Sequence, residues 1–293
     1  MAAGKNPEQA PNYVIRRRTE VQAYSAWTPP TGTLGAIVAE ARDRAALLQP
    51  NAAELSESAA SVPPAPSLAT ALQMDAVAVI AEVKRRSPSK GWISPGISAV
   101  DQARSYETGG AAAVSILTEP AHFGGSVADL IAVRDALSIP ALKKDFHVDP
   151  IQLVEAKALG ASAALLIARA LSPDLLVEMI DAAAALALET LVEIRDEDEL
   201  IRALDAGAAI IGINNRNLET LAIDPATSER LLAQIPAEVI AIAESGVQNR
   251  GDVERLARCG ADAVLVGSVL SAAPDPIDAV RQLAGVRRVR RGR

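Results

Sequence analysis

Short runs of apolar, β-branched residues alternate with longer amphipathic stretches along most of the chain. Eight runs are predicted to be strands: residues 77–83, 112–117, 139–143, 162–167, 188–194, 209–214, 238–243 and 262–266. The segments between them, such as 150–159, 173–185, 197–206 and 250–257, have helical periodicity. Strands that alternate with helices form parallel sheets with right-handed crossovers. Eight such units in about 200 residues favour an α/β fold of the (β/α)8 or TIM barrel type over a doubly wound open sheet.

Glycine residues mark the predicted ends of four helices. A Gly-Ala pair leads into a strand at Gly110, Gly160, Gly207 and Gly260. Glycine readily adopts the left-handed conformation that ends a helix, so each pair predicts a helix stop followed directly by a strand. No Gly-x-Gly-x-x-Gly pattern follows the first strand, which argues further against a dinucleotide-binding sheet.

Three regions flank the predicted barrel, which spans residues 68–285. Residues 1–33 are polar and punctuated by proline, so they predict an arm that is regulatory, contacts a second copy or is disordered. Residues 34–67 predict a helical extension, with one helix at 34–48 and then a linker rich in Ala, Ser and Pro. Residues 286–293 form a basic tail. A monomer is the default, and a weak dimer through the arm is the alternative.

The overall charge limits the classes of partner. A net charge of −7 and a pI near 5.1 argue against a general nucleic-acid surface. Arginines at 16–18 and within 287–293 are local exceptions, which we interpret as solvated and structurally optional rather than polyanion-binding. The sequence has neither a charge-free apolar run of about 18 residues nor a signal-peptide pattern. These features predict a cytoplasmic protein with no membrane and no nucleic-acid partner.

Cysteine and histidine are too few for the commonest metal sites. Cys259 is the only cysteine, which excludes an internal disulfide framework and a cysteine-rich metal site, and we interpret it as a small apolar filler. The two histidines, His122 and His147, argue against a histidine-based zinc site. We therefore predict no metal.

Charged residues close several of the predicted strands. Lys84, Lys144, Glu193 and Glu244 each end a short apolar run. An isolated charge is costly beside an apolar core, and barrel active sites lie at the C-terminal ends of the strands, so this arrangement predicts an enzyme. Glu82 lies two residues before Lys84 on the same strand face, and the two form either a catalytic pair or a structural ion pair.

The role of each residue stays open at this level. Lys144 either has its pKa lowered and serves as a general acid, or stays charged and holds a carboxylate. The adjacent Lys143 is expected to point away from the barrel interior and to serve as a control. Glu193 and Glu244 are each either a proton acceptor or a partner that holds a lysine. Asn214, which ends the sixth strand, either binds substrate or caps its loop.

Glycine-containing phrases follow the last two strands. Ser245-Gly246 ends the seventh strand and Gly267-Ser268 ends the eighth. Glycine permits close approach of a ligand to backbone amides, and many barrels bind phosphate after these two strands. Ser87, in the loop after the first strand, adds a hydroxyl at the same end. Together these residues predict a small-molecule substrate that carries a phosphate.

The motifs at the strand ends resemble those of one enzyme family. The segment Ile-Ala-Glu-Val-Lys-Arg-Arg-Ser-Pro-Ser-Lys-Gly at 80–91 is similar to the first-strand signature of the indole-3-glycerol-phosphate synthases. The other matching motifs, in chain order, are Lys-Asp-Phe at 144–146, Leu-Val-Glu at 191–193, Gly-Ile-Asn-Asn-Arg-Asn-Leu at 212–218, Ala-Glu-Ser-Gly at 243–246 and Val-Gly-Ser at 266–268. The resemblance covers roughly residues 34–283. His147 and the small residues of 120–126 depart from the usual family pattern.

The resemblance implies a carboxy-lyase of tryptophan biosynthesis that requires no cofactor. Its reaction closes the pyrrole ring of 1-(2-carboxyphenylamino)-1-deoxyribulose 5-phosphate and releases carbon dioxide and water. The implied catalytic residues are Lys144 as general acid, Lys84 as carboxylate ligand and aid to later proton transfer, Glu193 as the base or proton relay of the dehydration, and Glu82 as an orienting and electrostatic partner. Which carboxylate takes which proton stays open. The implied substrate-binding residues are Asn214, Glu244, Ser245, Phe123, Phe146 and Arg216, and the implied phosphate-binding residues are Ser87, Gly246, Gly267 and Ser268. The two phenylalanines wall the pocket for the ring or are ordinary packing, and Arg216 orients loops rather than reacts.

Three alternatives compete with this interpretation. Phosphoribosylanthranilate isomerase, a barrel of the same pathway, uses a cysteine and an aspartate at strand ends, but Cys259 is in the wrong place. A non-catalytic phosphate-binding barrel is expected to lack one of the lysines, yet Lys84 and Lys144 are both present. Polyanion binding through the arginine tail would be an added property and not the main one.

Overall fold

A closed barrel of eight parallel strands forms the centre of the structure, a computed structural model that describes residues 26–292. The strands are β1 (Ala78–Val83), β2 (Ala113–Leu117), β3 (Ala141–Lys144), β4 (Ala163–Ile167), β5 (Glu189–Ile194), β6 (Ile210–Asn214), β7 (Ile240–Glu244) and β8 (Ala263–Val266). Each strand pairs with its neighbours in the chain, and β1 pairs with β8 to close the barrel. The predicted fold class is therefore confirmed. Most of the predicted arm, including the arginines at 16–18, lies outside the described residues.

Helices surround the barrel and connect its strands. They are α1 (Gly32–Leu48), α2 (Ala52–Ser61), α3 (Leu68–Ala71), α4 (Ala99–Gly109), α5 (Pro120–Phe123), α6 (Val127–Ala136), α7 (Pro150–Ala158), α8 (Pro173–Ala185), α9 (Glu197–Asp205), α10 (Ala226–Leu232), α11 (Arg250–Arg258), α12 (Ser268–Ser271) and α13 (Pro276–Leu283). The glycines predicted to stop α4, α7, α9 and α11 all have positive φ angles, between +76° and +96°. Within residues 26–292, no helix is both long and apolar enough to cross a membrane.

The strands are buried on both faces, because side chains fill the barrel interior and helices cover its outside. Every residue of β1, β2, β4 and β6 is buried, and most of these residues are Ala, Val, Ile or Leu. A charged side chain on such a strand has no access to bulk water except at the strand ends. The fold therefore places the charges of the strand ends in one region.

The segment before the barrel contains two helices where the sequence predicted one. Helix α1 begins at Gly32 and buries an apolar stripe that includes Leu34, Ile37 and Val38. The predicted linker contains a 3-10 turn at Gln49–Asn51 and then the ten-residue helix α2. The expected break in helical structure after residue 48 is therefore not observed. Ala and Glu favour helix, and Pro50 lies in the first turn of the 3-10 segment, where proline is tolerated.

Two arginines of the basic tail, Arg288 and Arg291, pack on the barrel, so for these two the expectation of a solvated side chain is wrong, whereas Arg287 and Arg290 are exposed. Arg291 donates to Oδ2 of Asp262 at 2.7 Å and to the carbonyl of Val239 at 2.5 Å, and its side chain is only 7% exposed. Nε of Arg288 lies 2.9 Å from Oδ1 of the same carboxylate. Asp262 is buried just before β8 and also accepts the amide of Ala241. A buried carboxylate needs compensating charge, and the tail supplies it.

Candidate active site

The C-terminal ends of the strands surround a cavity of about 690 Å³. This volume lies within the range of small-molecule sites. Its lining includes every residue that the sequence singled out for catalysis or binding: Glu82, Lys84, Ser87, Phe123, Lys144, Phe146, Glu193, Asn214, Arg216, Glu244, Ser245, Gly246, Gly267 and Ser268. Cys259, in contrast, follows α11 at the opposite end of the strands. The structure thus brings the candidate residues together in one cavity.

The Lys144 ammonium lies in the cavity between two carboxylates that end other strands. Its Nζ is 3.3 Å from Oε2 of Glu193 and 3.2 Å from Oε2 of Glu244. Burial opposes the charge of Lys144, but Glu244, Glu193 and Glu82 together outweigh it and raise its pKa above the ordinary value. The lowered pKa that was one expectation for Lys144 is therefore wrong. Its ammonium stays protonated beside Glu193 and Glu244, and that proton is available for donation.

The two carboxylates beside Lys144 have different environments. Glu193 accepts a hydrogen bond from Nδ2 of Asn214 at 2.8 Å, and Oδ1 of Asn214 accepts the backbone amide of Arg216, so Asn214 both caps its loop and faces the cavity. Glu244 is 2% exposed, and its Oε1 has no hydrogen-bond partner in the described structure. Burial raises the pKa of Glu244 to about 7, although Lys144 works against the shift. Glu244 is therefore easier to protonate than an ordinary glutamate.

Lys84 and Glu82 form the ion pair expected from their spacing. Nζ of Lys84 is 2.5 Å from Oε1 of Glu82. Burial would raise the pKa of Glu82, but the charges of Lys84 and Lys144 overcome it, and the net pKa is below the ordinary value. The Lys84 ammonium also lies 6.0 Å from the ring centre of Phe123, within cation–π distance. An ionised Glu82 thus holds Lys84 beside an aromatic wall.

An apolar region adjoins these charges. The rings of Phe123 and Phe146 are 6.1 Å apart and inclined by 35°. Leu34 and Ile37 of α1 line the same cavity. Sequence analysis missed these two as cavity residues, because a helical apolar stripe gives no sign of whether it faces a core or a ligand cavity. The extension therefore supplies part of the apolar wall of the cavity.

The opposite side of the cavity has the features of an anion site. Gly246 and Ser245 follow β7 with φ angles of +94° and +64°. Gly267 precedes Ser268, the first residue of the short helix α12, whose N-terminal amides carry partial positive charge. Ser87 is buried, and its hydroxyl accepts the amide of Lys90 at 3.2 Å. Arg216 donates to the carbonyl of Leu221, which orders the loop beside this region as expected.

Lys143 points away from the barrel interior as expected, but its substitution would not be a harmless control. Its side chain is 1% exposed and donates to Glu155 at 2.8 Å. It also lies 3.4 Å from Nε2 of His147, whose Nδ1 donates to the carbonyl of Leu165. Helix α7 covers this outer face of β3, so Lys143 is a buried ion-pair residue and its removal would disturb the fold.

A family model for indole-3-glycerol phosphate synthase matches residues 34–283. The chain belongs to the indole-3-glycerol phosphate synthase family. Indole-3-glycerol phosphate synthase 1 of Streptomyces coelicolor is 50% identical over 230 residues, which cover 78% of this chain and 86% of the relative. The synthase of Rhodococcus jostii is 48% identical over 231 residues, 79% of this chain and 86% of its own. The chain is accordingly a carboxy-lyase of tryptophan biosynthesis that forms indole-3-glycerol phosphate.

Solved structures of other enzymes share the fold at low sequence identity. A 3-hexulose-6-phosphate synthase has a TM-score of 0.55 at 18% identity, over 71% of this chain and 98% of that one. A thiamine phosphate pyrophosphorylase from Pyrococcus furiosus has a TM-score of 0.53 at 16% identity, over 71% and 93%. At these identities the likeness supports the barrel fold alone.

Proposed function

We propose that this cavity closes the pyrrole ring by general acid–base catalysis, with Lys144 as the acid. The observation that carries the proposal is the position of its ammonium between Glu193 and Glu244. Lys144 would protonate the ketone oxygen of the deoxyribulose while the ring carbon that bears the carboxylate attacks the carbonyl carbon. Donation leaves Lys144 as a neutral amine, and Glu244, with a pKa of about 7, is suited to return a proton to it.

The substrate has an anion at each end, and the cavity offers a partner for both. Lys84 is suited to bind the anthranilate carboxylate, with Glu82 holding the ammonium in place. Phe123 and Phe146 would enclose the aromatic ring to which this carboxylate is attached. The phosphate would occupy the opposite side, against the Ser87 hydroxyl and the backbone amides of Gly246, Gly267 and Ser268. These contacts orient the ketone toward Lys144.

The later steps need a base and a stabilised cation. Attack on the ketone places a positive charge on the nitrogen, and loss of carbon dioxide restores the aromatic ring. The hydroxyl made from the ketone takes a second proton, from the Lys84 ammonium, and leaves as water. Glu193 then takes the last proton from the carbon beside the nitrogen. The carboxylates of Glu82 and Glu193, and that of Glu244 once it has given up its proton, favour the positively charged intermediates, because their positions are fixed before the reaction begins. Asn214 holds Glu193 and contacts the substrate hydroxyls.

Replacement of Lys144 by methionine tests this division of roles. Methionine keeps most of the side-chain volume and removes the proton, so we expect turnover to indole-3-glycerol phosphate to fall by about three orders of magnitude or more. The matched control is Lys157→Met, because Lys157 lies on helix α7, outside the cavity, and within residues 26–292 its ammonium donates to the backbone carbonyl of Ala187 and forms no ion pair. Lys143 is unsuitable for this purpose because it is buried and paired.

Steady-state assays of the native chain and both variants give a clear decision. Native turnover with loss at Lys144 alone supports the proposal, whereas a Lys144→Met variant with native turnover would assign the acid elsewhere. No product from the native chain, together with protection of the fold by inorganic phosphate, would leave a non-catalytic phosphate-binding barrel. We further infer a monomeric, cytoplasmic enzyme, which sedimentation and cell fractionation would test.

A further inference from the structure

Arg44, on the extension helix α1, contacts two loops of the active-site face. Its Nη2 donates to Oδ1 of Asp145 at 3.0 Å, and its Nη1 lies 3.6 Å from Oε1 of Glu119. Asp145 directly follows Lys144 at the end of β3, and Glu119 belongs to the loop after β2. Both carboxylates are buried, whereas the Arg44 side chain remains 27% exposed. One guanidinium thus links the extension to two loops that carry cavity residues.

Asp145 orders the backbone on both sides of itself. Its Oδ1 accepts the amide of Phe146 at 2.8 Å, and its Oδ2 accepts the hydroxyl of Thr118 at 2.6 Å. The amide of Thr118 in turn donates to the carbonyl of Lys144 at 3.1 Å. Burial opposes ionisation of Asp145, but Lys143 and further charges that include Arg44 hold its pKa below the ordinary value. An ionised Asp145 therefore fixes the chain between the acid Lys144 and the ring of Phe146.

Glu119 orders the second ring in the same way. Its carboxylate accepts the amides of Ala121, His122 and Phe123 at 3.0, 2.7 and 3.1 Å, and so caps the short helix α5. This cap sets the position of Phe123, whose ring faces both Phe146 and the Lys84 ammonium. The two carboxylates that Arg44 contacts therefore control the two aromatic rings of the cavity.

We propose that Arg44 is a positioning residue for ring closure, acting through Asp145 and Glu119 on Phe146, Phe123 and Lys144. The inference rests on the proposed function, in which Phe123 and Phe146 enclose the substrate ring and Lys144 is the general acid. Removal of the guanidinium takes away the counter-charge that the two buried carboxylates share, and leaves Asp145 with Lys143 at 3.8 Å, so the link between the two loops and the extension is weakened. A displacement of about 1 Å at the reacting groups costs up to about 100-fold in rate.

Kinetics of Arg44→Ala, with Arg42→Ala as matched control, test the proposal. Arg42 lies two residues earlier on α1 and is exposed. For Arg44→Ala we expect kcat/KM to fall by about 10- to 100-fold, with KM raised through the rings and kcat lowered through Lys144. Arg44→Lys should recover part of this loss, because it restores the charge without the forked geometry. Added guanidinium ion should also restore part of the activity of Arg44→Ala and leave Arg42→Ala unchanged.

A double-mutant cycle identifies the route of the effect. Asp145→Asn keeps an oxygen for the amide of Phe146 but removes the charge that Arg44 contacts. If Arg44 acts through Asp145, the losses in kcat/KM from the two substitutions are less than multiplicative in the double variant. A purely structural arginine would instead lower the thermal midpoint and leave kcat and KM of the folded enzyme native.

The possible results separate the two levels of inference. Native kcat and KM in Arg44→Ala, or independent effects of Arg44 and Asp145 in the cycle, would overturn the positioning role while the synthase activity stands. Failure of the native chain to form indole-3-glycerol phosphate would overturn the proposed function itself. Loss at Arg44 with rescue by guanidinium and coupling to Asp145 supports the proposal.

Discussion

Gly212, in the middle of β6, leaves room for the carboxylate of Glu244. A Cβ at this position would lie 2.1 Å from Oε1 of Glu244 and 3.1 Å from Cδ1 of Leu191. Ordinary van der Waals contact begins near 3.4 Å, so Gly212→Ala forces the carboxylate to move by about 1.3 Å. Since the same carboxylate is 3.2 Å from Nζ of Lys144, the substitution acts on the acid without touching it.

The size of the effect follows from these distances. If the whole shift of about 1.3 Å is directed away from Nζ of Lys144, the Lys144–Glu244 contact lengthens to at most about 4.5 Å, beyond the roughly 4 Å limit of an ion pair. A misplacement of this size in a catalytic group corresponds to about 100-fold in rate, or about 2.7 kcal/mol of transition-state free energy. Both clashing atoms are the ends of side chains rather than backbone, so the cost in folding stability is only about 1–3 kcal/mol.

Steady-state product formation and thermal unfolding of Gly212→Ala measure the two effects separately. We expect kcat/KM to fall about 100-fold while a cooperative unfolding transition is retained. Gly96→Ala is the matched control, because a Cβ there has no atom within 4 Å and φ is not positive. A Gly212→Ala variant with native kcat/KM would refute the link between Glu244 and catalysis. Loss of the folded state would show that the strand, and not the carboxylate, absorbs the clash.

Three further predictions concern stability. Deletion of residues 288–293 removes both arginines from Asp262 and should lower the free energy of unfolding by about 3–5 kcal/mol in denaturant titrations, with kcat unchanged, since Asp262 precedes β8. Burial and Lys143 lower the pKa of His147 to about 3, so the stability that its neutral form contributes is present above pH 6.5 and lost as the pH falls toward 3. The thermal midpoint of His147→Leu should therefore fall less than that of the native chain between pH 6.5 and pH 3. Burial raises the pKa of Glu244 to about 7, so the native chain loses stability as pH rises from 4.5 through 7. The thermal midpoint of Glu244→Gln, relative to that of the native chain, should increase over that interval.

The hydrophobic pattern of the sequence was sufficient to predict the eight strands of the barrel and their order. The predicted strands agree with the observed ones to within one or two residues at each end, because β-branched runs are bounded by Gly-Ala helix stops on one side and charges on the other. The same regularity places the C-terminal ends of the strands at one end of the barrel. Residues distant in sequence, such as Glu82 and Glu244, could therefore be assigned to one cavity before any coordinates.

Features that depend on pairing between distant residues could not be read from the sequence. Arg288 and Arg291 belong to a terminal run of arginines that is typical of a solvated tail, and only the position of Asp262 shows that they are buried partners. Arg44 likewise lies on a helix among other charged residues, and nothing in its neighbours indicates Asp145, 101 positions later. Local periodicity identifies which face of an element is buried, but not which charge on another element it meets.

Strand β3 shows why Lys144 could be predicted as a cavity residue while its surroundings could not. Successive side chains of a strand point to opposite faces, so Lys144 enters the cavity and Lys143 meets helix α7. Each lysine has acidic partners on its own side: Glu193 and Glu244 inside, and Glu155 outside. The strand end is therefore held by ion pairs on both faces, and a neutral substitution on either face removes charge balance from the strand that carries the acid. This arrangement explains why Lys143 is an unsuitable control for a substitution of Lys144.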